Sequence, residues 1–323
     1  MREAQPGGPA APLPPLPEGS TVTVGSFDGV HLGHQAVLRE IARRAREAGR
    51  SSVLVTFDPH PLEIINPAAA PPLLTTGPER LEILAQSPLD YVVILHFDRH
   101  LAGLTPEEFV RQVLLERCQV RELVIGHDHG FGRGRSGDVE TLRRLGASLG
   151  FEVDVVAPVD YAGLPVSSSR IRRAVTGGDL NSAGAMLGRP YGVVGRVGRG
   201  ERRGRRLGVP TINLAELPAR KLLPPDGVYA VRVEWRGGEG GGMMHQGPRP
   251  TFYDGRRVLE AHIFDFEGDL YGEWVRIEWI ERLRDIERFD SVDQLKRQLE
   301  NDRSEALAVL RRAQATSNRV FHA

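Results

Sequence analysis

The stretch Val22–His34, which reads VTVGSFDGVHLGH, indicates the fold of the first half of the chain. Its valines predict a short buried strand, and two glycines, Gly25 and Gly29, permit a tight turn after it. The segment that follows, Gln35–Ala48, has apolar residues at helical spacing on one face. We therefore expect a strand that turns directly into a helix.

The turn places His31, Gly33 and His34 at the N-terminus of this predicted helix. Backbone N–H groups there have no partner within the helix, and the helix dipole favours an anion. Gly33 lets a phosphate approach the chain, and the two imidazoles can donate hydrogen bonds to its oxygens. The stretch therefore predicts a phosphate site. The alternative is a turn that carries two surface histidines.

Apolar strands alternate with amphipathic helices from Ser20 to about Gly150. Strands separated by helices predict a parallel α/β sheet with right-handed crossovers, in which ligands lie beyond the C-terminal ends of the strands. The predicted strands are Thr21–Gly25, Ser52–Thr56, Tyr91–Phe97, Leu123–Gly126 and Glu152–Val156, and the predicted helices are Gln35–Ala48, Pro78–Gln86, Pro106–Leu115 and Asp138–Leu149.

Clusters of polar residues follow three of these strands. His31 and His34 follow the first strand, Asp58–Pro61 follows the second, and Gly126–Arg135 follows the fourth. The parallel sheet would bring all three clusters to its ligand-binding edge. For Asp58, His60 and Pro61, a purely structural role in the turn after the second strand explains the residues equally well.

The Ser-rich segment Ser167–Arg172, SSSRIR, predicts a second anion site. It precedes a helical stretch through Ala174, so serine oxygens can cap the helix while arginine guanidiniums bind phosphate with two hydrogen bonds. The alternative is an ordinary helix cap followed by solvated arginines.

The pattern changes after Ser182. Short alternating segments, separated by glycine-rich turns such as Gly237–Gly242, predict an antiparallel barrel with no helix until Ser291–Leu310. A second domain is expected to begin near Met186–Pro190. Its predicted strands are Tyr191–Val197, Val228–Trp235, Arg257–Phe266 and Trp274–Ile280.

The composition excludes several classes of protein. Forty-two basic residues balance 42 acidic ones, so no global field recruits nucleic acid or an anionic membrane. No Gly-Lys-Ser/Thr step occurs, which excludes a P-loop. Cys118 is the only cysteine, which suits a reducing cytoplasm, and no apolar run predicts a membrane span or a signal peptide. We expect a cytoplasmic protein without nucleic-acid or membrane partners.

Taken together, these motifs resemble the prokaryotic bifunctional riboflavin kinase/FMN adenylyltransferases, also called FAD synthetases. The likeness covers about residues 20–310. It rests on GSFDGVHLGH, FDPHPLE, FDRHLAGLTPEEFV, IGHDHGFGRGRSGD, SSSRIRRAVTGGDLNSAGAMLGRPY, GRRLGVPTINL, LPPDGVYAVRV, GPRPTF, LEAHIFDF and DLYGEWV, in this order.

The resemblance implies two enzymatic domains. The first is an α/β parallel-sheet nucleotidyltransferase domain, Rossmann-like and of the histidine-x-glycine-histidine type, and the second is an antiparallel six-stranded β-barrel riboflavin kinase domain with a C-terminal helix. We expect a disordered proline-rich tail at 1–19, the FMN adenylyltransferase domain at 20–185, the kinase domain at 186–310 and a C-terminal tail at 311–323. Riboflavin, FMN and ATP are the implied substrates, with Mg²⁺ at both sites.

In the first domain, the resemblance makes His31 and His34 catalytic, because they would hold the ATP phosphates while the FMN phosphate attacks. Ser168, Ser169 and Arg172 would bind the nucleotide phosphates from the opposite side. The remaining expected nucleotide contacts are Gly25, Phe27, Asp28 and Gly33, and the expected flavin contacts are Asp128 and Arg135.

In the second domain, the resemblance makes Glu260 the general base for the riboflavin 5′-hydroxyl. Thr211 and Asn213 would hold Mg²⁺, a cation that prefers oxygen ligands. The expected nucleotide loop includes Gly198, Gly204 and Gly208, and Arg249 is an expected flavin contact. The C-terminal helix would pack beside the flavin. Without the resemblance, the arginine run of this loop could also indicate RNA binding.

Four positions depart from the family pattern. Ser169 replaces a threonine, Ile212 replaces a small residue between Thr211 and Asn213, and His129 and His245 stand where other residues are usual. These departures keep two alternatives open: an enzyme that retains only one of the activities, and a flavin-binding regulator without turnover. The oligomeric state is not predicted.

Overall fold

The structure, a computed structural model, describes residues 13–126, 138–198, 208–215, 219–248 and 257–320, with side chains up to 315. Contacts within the chain divide it into two compact units, Met1–Ser168 and Ser169–Ala323. Residue 186, the expected start of the kinase domain, lies inside a helix of the second unit, and the domain boundary stays a prediction. Among the described residues, no helix is long and apolar enough to cross a membrane.

A parallel five-stranded sheet forms the centre of the first unit, as the alternation of strands and helices predicts. All neighbouring strands pair in parallel, in the order β3-β2-β1-β4-β5. A separate two-stranded hairpin, β6 with β7, precedes the second unit. The strands are β1 Ser20–Val24, β2 Ser51–Asp58, β3 Tyr91–His96, β4 Val120–Gly126, β5 Glu152–Val156, β6 Asp160–Tyr161 and β7 Leu164–Pro165.

Helices cover both faces of this sheet. Alternate strand residues face opposite sides, so Val53 and Val55 lie in one hydrophobic cluster whereas Leu54 lies in the other with Ile41 of the first helix. The helices are α1 Leu32–Glu47, α2 Pro61–Ile65, a 3₁₀ turn Pro67–Ala69, α3 Gly77–Ala85, α4 Arg99–Gly103, α5 Pro106–Phe109 with its π-helical continuation Val110–Arg117, and α6 Val139–Leu149.

The end of the expected N-terminal tail is packed. Leu16 is only 4% exposed and belongs to the same hydrophobic cluster as Val22 and Val53, and Leu13 packs against that cluster. The amide of Gly19 closes a turn onto the carbonyl of Leu16. Apolar contacts therefore hold this part of the proline-rich segment against the sheet, whereas the sequence predicts a tail through residue 19.

A closed six-stranded barrel forms the second unit, in the order β10-β11-β12-β9-β8-β13, which confirms the predicted antiparallel barrel. Two helices precede it and one follows it. The elements are α7 Ser168–Thr176, α8 Leu180–Leu187, β8 Tyr191–Gly198, β9 Ile212–Leu214, β10 Gly227–Trp235, β11 Gly238–Pro248, β12 Arg257–Ile263, β13 Trp274–Arg284 and α9 Val292–Val320.

The glycine-rich segment Gly237–Gly242 is mostly strand, so its prediction as a turn was wrong. Only Gly237, with φ of 100°, turns the chain, and β11 starts at the next residue. A Cβ at Gly241 would lie 2.6 Å from Leu310 of α9, and one at Gly242 would lie 2.4 Å from the carbonyl oxygen of His262. These glycines let the neighbouring helix and strand approach closely.

Helix α9 packs against the outside of the barrel and continues well past the expected end at residue 310. Its Ala306, Val309 and Leu310 form a cluster with Ala230 and Met243 of the barrel. In its first half, Asp302 accepts hydrogen bonds at 2.7 Å from both Nε and Nη2 of Arg284, the last residue of β13. An apolar face and one buried ion pair thus join the C-terminal helix to the barrel.

Candidate active sites

His31 is the N-cap of α1. Its Nδ1 accepts a hydrogen bond of 3.3 Å from the backbone N–H of His34, so the helix begins three residues before the predicted start at Gln35. Because Nδ1 is an acceptor in this cap, the neutral ring carries its proton on Nε2. Nε2 is therefore the nitrogen with which His31 can donate to a phosphate oxygen.

The rings of His31 and His34 stack, with centroids 3.6 Å apart and an interplanar angle of 16°. The ring of Phe27 packs against the ring of His34, with the two centroids 4.6 Å apart. Two cationic rings at this distance would repel each other, so the stack favours at least one neutral imidazole. The structure brings the two predicted histidines and Phe27 together in one group at the helix start.

Gly33 makes room for the ring of His31. A Cβ at this position would lie 3.3 Å from both Cε1 and Nδ1 of that ring, and 3.7 Å from the carbonyl oxygen of Val166. Gly25 is similarly close to an aromatic ring, because its Cβ would lie 3.0 Å from Phe27. Gly25 and Gly33 thus each have a local steric reason in addition to any ligand contact.

Asp28 is buried and holds a neighbouring loop. Its carboxylate accepts hydrogen bonds from the backbone N–H groups of Leu74 and Thr75, at 3.0 and 2.9 Å, and from the Thr75 hydroxyl. Only 1% of the residue is exposed. Its carbonyl oxygen accepts a hydrogen bond of 3.0 Å from the hydroxyl of Ser168. This geometry gives Asp28 a positioning role for the loop at Thr75, and its expected nucleotide contact stays a prediction.

Arg80 is a buried residue that the sequence analysis missed. Its guanidinium donates to the carbonyl oxygens of Ser26, after β1, and Phe57, near the end of β2, at 3.0 and 2.7 Å. Burial lowers its pKa, and the charges of Asp58 and Asp28 oppose this shift. The signal in the sequence was a charged residue on the apolar stripe of α3, one turn before buried Leu84.

The turn after β2 has a structural explanation. His60 caps α2, since its Nδ1 accepts a hydrogen bond from Leu62 N–H, and the carboxylate of Glu63 accepts one from His60 N–H in return. Asp58 lies 3.6 Å from Arg80 in an ion pair. Of the two explanations open for this cluster, the contacts favour the structural one.

The expected phosphate-binding residues of the SSSRIR motif lie on one helix. Ser168 begins α7, and Ser169 and Arg172 follow within its first five residues. Ser169 is exposed and Arg172 half-buried. Ser168 and Arg172 are one helical turn apart and share a face, so a single anion could contact both of them.

Asn213 of β9 and Glu260 of β12 are direct partners in the barrel. Directly opposite residues of an antiparallel pair project from the same face. Ile212 projects to the other side, opposite Ala261, and Thr211, which precedes the strand, lines a cavity together with Ile212 and Ala261. Strand pairing thus places Asn213, one of the two expected metal ligands, beside Glu260, the expected base.

These residues fit a magnesium ion by their chemistry, because a hydroxyl, an amide carbonyl and a carboxylate are oxygen donors. Among the described residues, no group of three or more His, Cys, Asp or Glu side chains could hold a metal by itself. An ion at this place would need further oxygens, which the phosphates of ATP can supply.

A cavity beside Thr211 is lined by Val197, Ile212, Ala261, Asp269 and Tyr271.

Two histidines flank this group. His262 lies two residues after Glu260 on β12, and its Nδ1 is 2.7 Å from the carbonyl oxygen of Pro210. His245 of β11 is the direct partner of Glu260 on its other side, and burial lowers the pKa of both histidines. The sequence motifs gave His262 no role, although its i+2 spacing from Glu260 on a strand is the signal that places the two side chains on one face.

Gly198 is a packing position. A Cβ there would lie 2.4 Å from the Cβ of Ala215, so glycine lets β9 approach β8. Gly208 has φ of 78°, a conformation that favours glycine. Four expected site residues lie outside the described residues: Asp128, Arg135, Gly204 and Arg249.

Two family profiles match the chain, FAD synthetase over residues 13–170 and riboflavin kinase over residues 187–310. The chain is 37% identical over 287 residues to the bifunctional riboflavin kinase/FMN adenylyltransferase of Escherichia coli K12, covering 88% of this chain and 91% of that one. It is 38% identical over 298 residues to the protein of that name from Pseudomonas fluorescens, covering 92% and 95%.

A solved structure of a Streptococcus pneumoniae protein named as a macrolide-efflux protein has a similar fold. The TM-score is 0.77 at 35% identity, with 88% of this chain and 93% of that chain covered. Two consecutive profiles and relatives that match over most of their length agree with a nucleotidyltransferase-type sheet followed by a flavokinase-type barrel. The chain therefore belongs to the family of bifunctional riboflavin kinase/FMN adenylyltransferases.

Proposed function

We propose that the family's two activities belong to two successive domains of this chain. The chain is a riboflavin kinase and an FMN adenylyltransferase, which convert riboflavin to FMN and FMN to FAD with ATP. We assign adenylyl transfer to residues 20–185 and phosphorylation to residues 186–310. The observation that carries the assignment is the direct pairing of Glu260 with Asn213, which joins a base and a metal ligand on one face of the barrel.

In the kinase step, the riboflavin 5′-hydroxyl oxygen forms a bond to the γ-phosphorus of ATP while the bond to the β-γ bridging oxygen breaks. The hydroxyl proton passes to the Glu260 carboxylate, and ADP leaves. Thr211 and Asn213 would hold Mg²⁺, which when bound offsets the negative charge of the phosphates. Glu260 can serve because it lies beside Asn213, where the phosphate and the alcohol would meet.

In the adenylyl step, an oxygen of the FMN phosphate forms a bond to the α-phosphorus of ATP, and pyrophosphate leaves. Nε2 of His31 donates a hydrogen bond to the phosphates, because its Nδ1 is used by the helix cap. His34, stacked on that ring, is the second donor. Ser168, Ser169 and Arg172 would bind the nucleotide phosphates at the start of α7. Positioning and hydrogen bonding supply the catalysis.

The expectations about partners rest on the sequence. Riboflavin, FMN and ATP follow from the family. Balanced charge argues against nucleic acid as a partner, and a cytoplasmic location and Mg²⁺ dependence stay predictions. The glycines and arginines of the expected nucleotide loop lie largely outside the described residues.

One incubation tests the proposal. Purified full-length protein with riboflavin, ATP and Mg²⁺ should produce FMN and then FAD, which chromatography separates. FMN without FAD would support an enzyme that retains only the kinase activity. Riboflavin that binds but stays unchanged would indicate a flavin-binding regulator and would contradict the proposal. A reaction without Mg²⁺, with excess chelator, is the matched control for the metal.

A further inference from the structure

The attachment of the segment that carries Thr211 to the barrel is short. Strand β9 has only three residues, and its pairs with β12 are Asn213 with Glu260 and Ile212 with Ala261. On its other side, β9 pairs with β8 through Asn213 and Leu214. The ladder with β12 therefore stops at Ile212, one residue before Thr211. Backbone pairing alone does not position the Thr211 side chain.

His262 extends this attachment. Its Nδ1 lies 2.7 Å from the carbonyl oxygen of Pro210, and because a carbonyl can only accept, Nδ1 carries the hydrogen. Pro210 immediately precedes Thr211, so this bond holds the peptide plane that joins the two residues. His262 is half-buried and lies on the same face of β12 as Glu260.

The ring of His262 is itself held by neighbours from the C-terminal helix. It lies edge-on to Phe264, with centroids 5.7 Å apart. The guanidinium of Arg303, on α9, lies 5.3 Å from the centroid of Phe264 and donates a 2.8 Å hydrogen bond to Asp265. A continuous set of contacts thus runs from α9 through Phe264 and His262 to the peptide before Thr211.

We propose that His262 is a positioning residue of the kinase site, whose Nδ1–H holds the Pro210–Thr211 peptide so that Thr211 faces the metal–nucleotide complex. The inference rests on the proposed kinase function and adds a residue to it. The hydrogen bond to the carbonyl oxygen of Pro210 requires a hydrogen on Nδ1. His262 does not touch the reacting atoms in this arrangement.

Two variants of the full-length chain separate the hydrogen bond from ring packing. His262→Phe keeps a ring against Phe264 but has no donor. His262→Asn removes the ring but places an amide N–H where Nδ1 was. We expect His262→Phe to lower kcat/KM for ATP about 10-fold to 100-fold, the cost of one broken hydrogen bond with an unsatisfied carbonyl. His262→Asn should stay within a few-fold of the natural protein, and KM for riboflavin should change little in both.

A binding measurement provides a readout without turnover. Calorimetry with ADP, in the presence and absence of Mg²⁺, should show that Mg²⁺ strengthens ADP binding in the natural chain and in His262→Asn, and that this gain is reduced in His262→Phe. FMN adenylylation should be equal in all three proteins, which checks the first domain, and an unchanged KM for riboflavin checks that the barrel is folded.

The outcomes distinguish the inference from the function on which it rests. If the natural chain phosphorylates riboflavin and His262→Phe has unchanged kinetics and Mg²⁺-dependent ADP binding, the positioning role is overturned and the kinase function stands. Equal losses in the Phe and Asn variants would show that ring packing matters rather than the hydrogen bond. A natural chain with neither kinase activity nor Mg²⁺-dependent ADP binding would overturn both.

Discussion

Asn213 and Glu260 lie directly opposite each other on the shortest strand of the barrel and its neighbour. The two residues are 47 positions apart in the chain, as 260 minus 213 gives, and come from separate motifs. Their pairing brings an amide and a carboxylate to the same face of the sheet. This pairing supports a phosphoryl-transfer site at the barrel, because it places the proposed base beside a proposed metal ligand.

Replacing Glu260 by glutamine should remove the base and preserve the shape of the site. We expect riboflavin phosphorylation to fall about 10²-fold to 10⁴-fold, the usual contribution of a positioned base. FMN supplied directly should still be converted to FAD at the natural rate. Glu281→Gln, a change of the same chemistry at a half-exposed position on β13, is the matched control. A kinase rate within a few-fold of normal would exclude Glu260 as the base.

Replacing His31 tests its two roles separately. His31→Ala removes both the helix cap and Nε2, whereas His31→Asn keeps an N-cap and removes Nε2 only. We expect both variants to lower FAD formation from FMN about 10²-fold to 10³-fold, as for the loss of one transition-state donor. Only His31→Ala should also lose about 1 kcal/mol of stability in denaturant unfolding. Normal FAD formation in His31→Asn would assign the histidine to capping alone.

The ion pair between Arg284 and Asp302 should stabilise the second unit. Asp302 is 1% exposed and accepts two hydrogen bonds from the guanidinium, so Asp302→Asn leaves a cation that is largely buried without its counter-charge. We expect a loss of about 3 kcal/mol, the cost of breaking such a pair on one side. Breaking the exposed pair Arg312–Glu281 by Glu281→Gln should cost less than about 1 kcal/mol. Equal losses in chemical unfolding of the two variants would contradict this ranking.

Acid should remove a contribution that Glu40 makes on α1. Hydrogen bonds from Arg43, and then from Arg44, lower the pKa of Glu40 from 4.5 to about 2. Because the folded pKa is depressed, the stabilisation is complete above pH 4.5 and is lost as the pH falls through about 2. The difference in Tm between the natural chain and Glu40→Gln should therefore shrink on acidification across this interval. A constant difference would show that the hydrogen bonds contribute nothing through the charge.

Cys118 should be unreactive in the folded protein. Burial raises the pKa of its thiol to about 12, and none of its surface is exposed. The thiolate is the reactive form, so a thiol reagent at mildly alkaline pH should label no cysteine in the native chain and one in denaturant. The labelling rate at intermediate denaturant then reports opening of the first unit. Rapid labelling of the native protein would contradict the buried position.

Local sequence patterns predicted much of the architecture. The strands of the first sheet were predicted within about three residues at either end, because alternation between apolar strands and amphipathic helices repeats over short distances. The glycines of β11 misled the same reasoning. These glycines allow the close approach of Leu310 and of the His262 backbone, and both of these residues lie far along the chain.

The roles of individual site residues were less predictable. The motif around His31 pointed to phosphate, but the sequence could not show that its Nδ1 caps the helix, which leaves Nε2 for a ligand. It also could not show that both oxygens of the Asp28 carboxylate accept hydrogen bonds from backbone N–H groups of the loop at Thr75. Arg80 carried only the weak signal of a charge on an apolar helix face.

By itself, the sequence determined the two kinds of domain, their order and the family, because periodicity and ordered motifs are properties of neighbouring residues. The tertiary structure alone decided which distant groups meet: Glu260 with Asn213, His262 with the carbonyl of Pro210, and Arg284 with Asp302. Strand register and helix packing bring these groups together, and both depend on the burial of apolar surface over the whole unit. A one-residue slip in register would move Glu260 to the opposite face of the barrel.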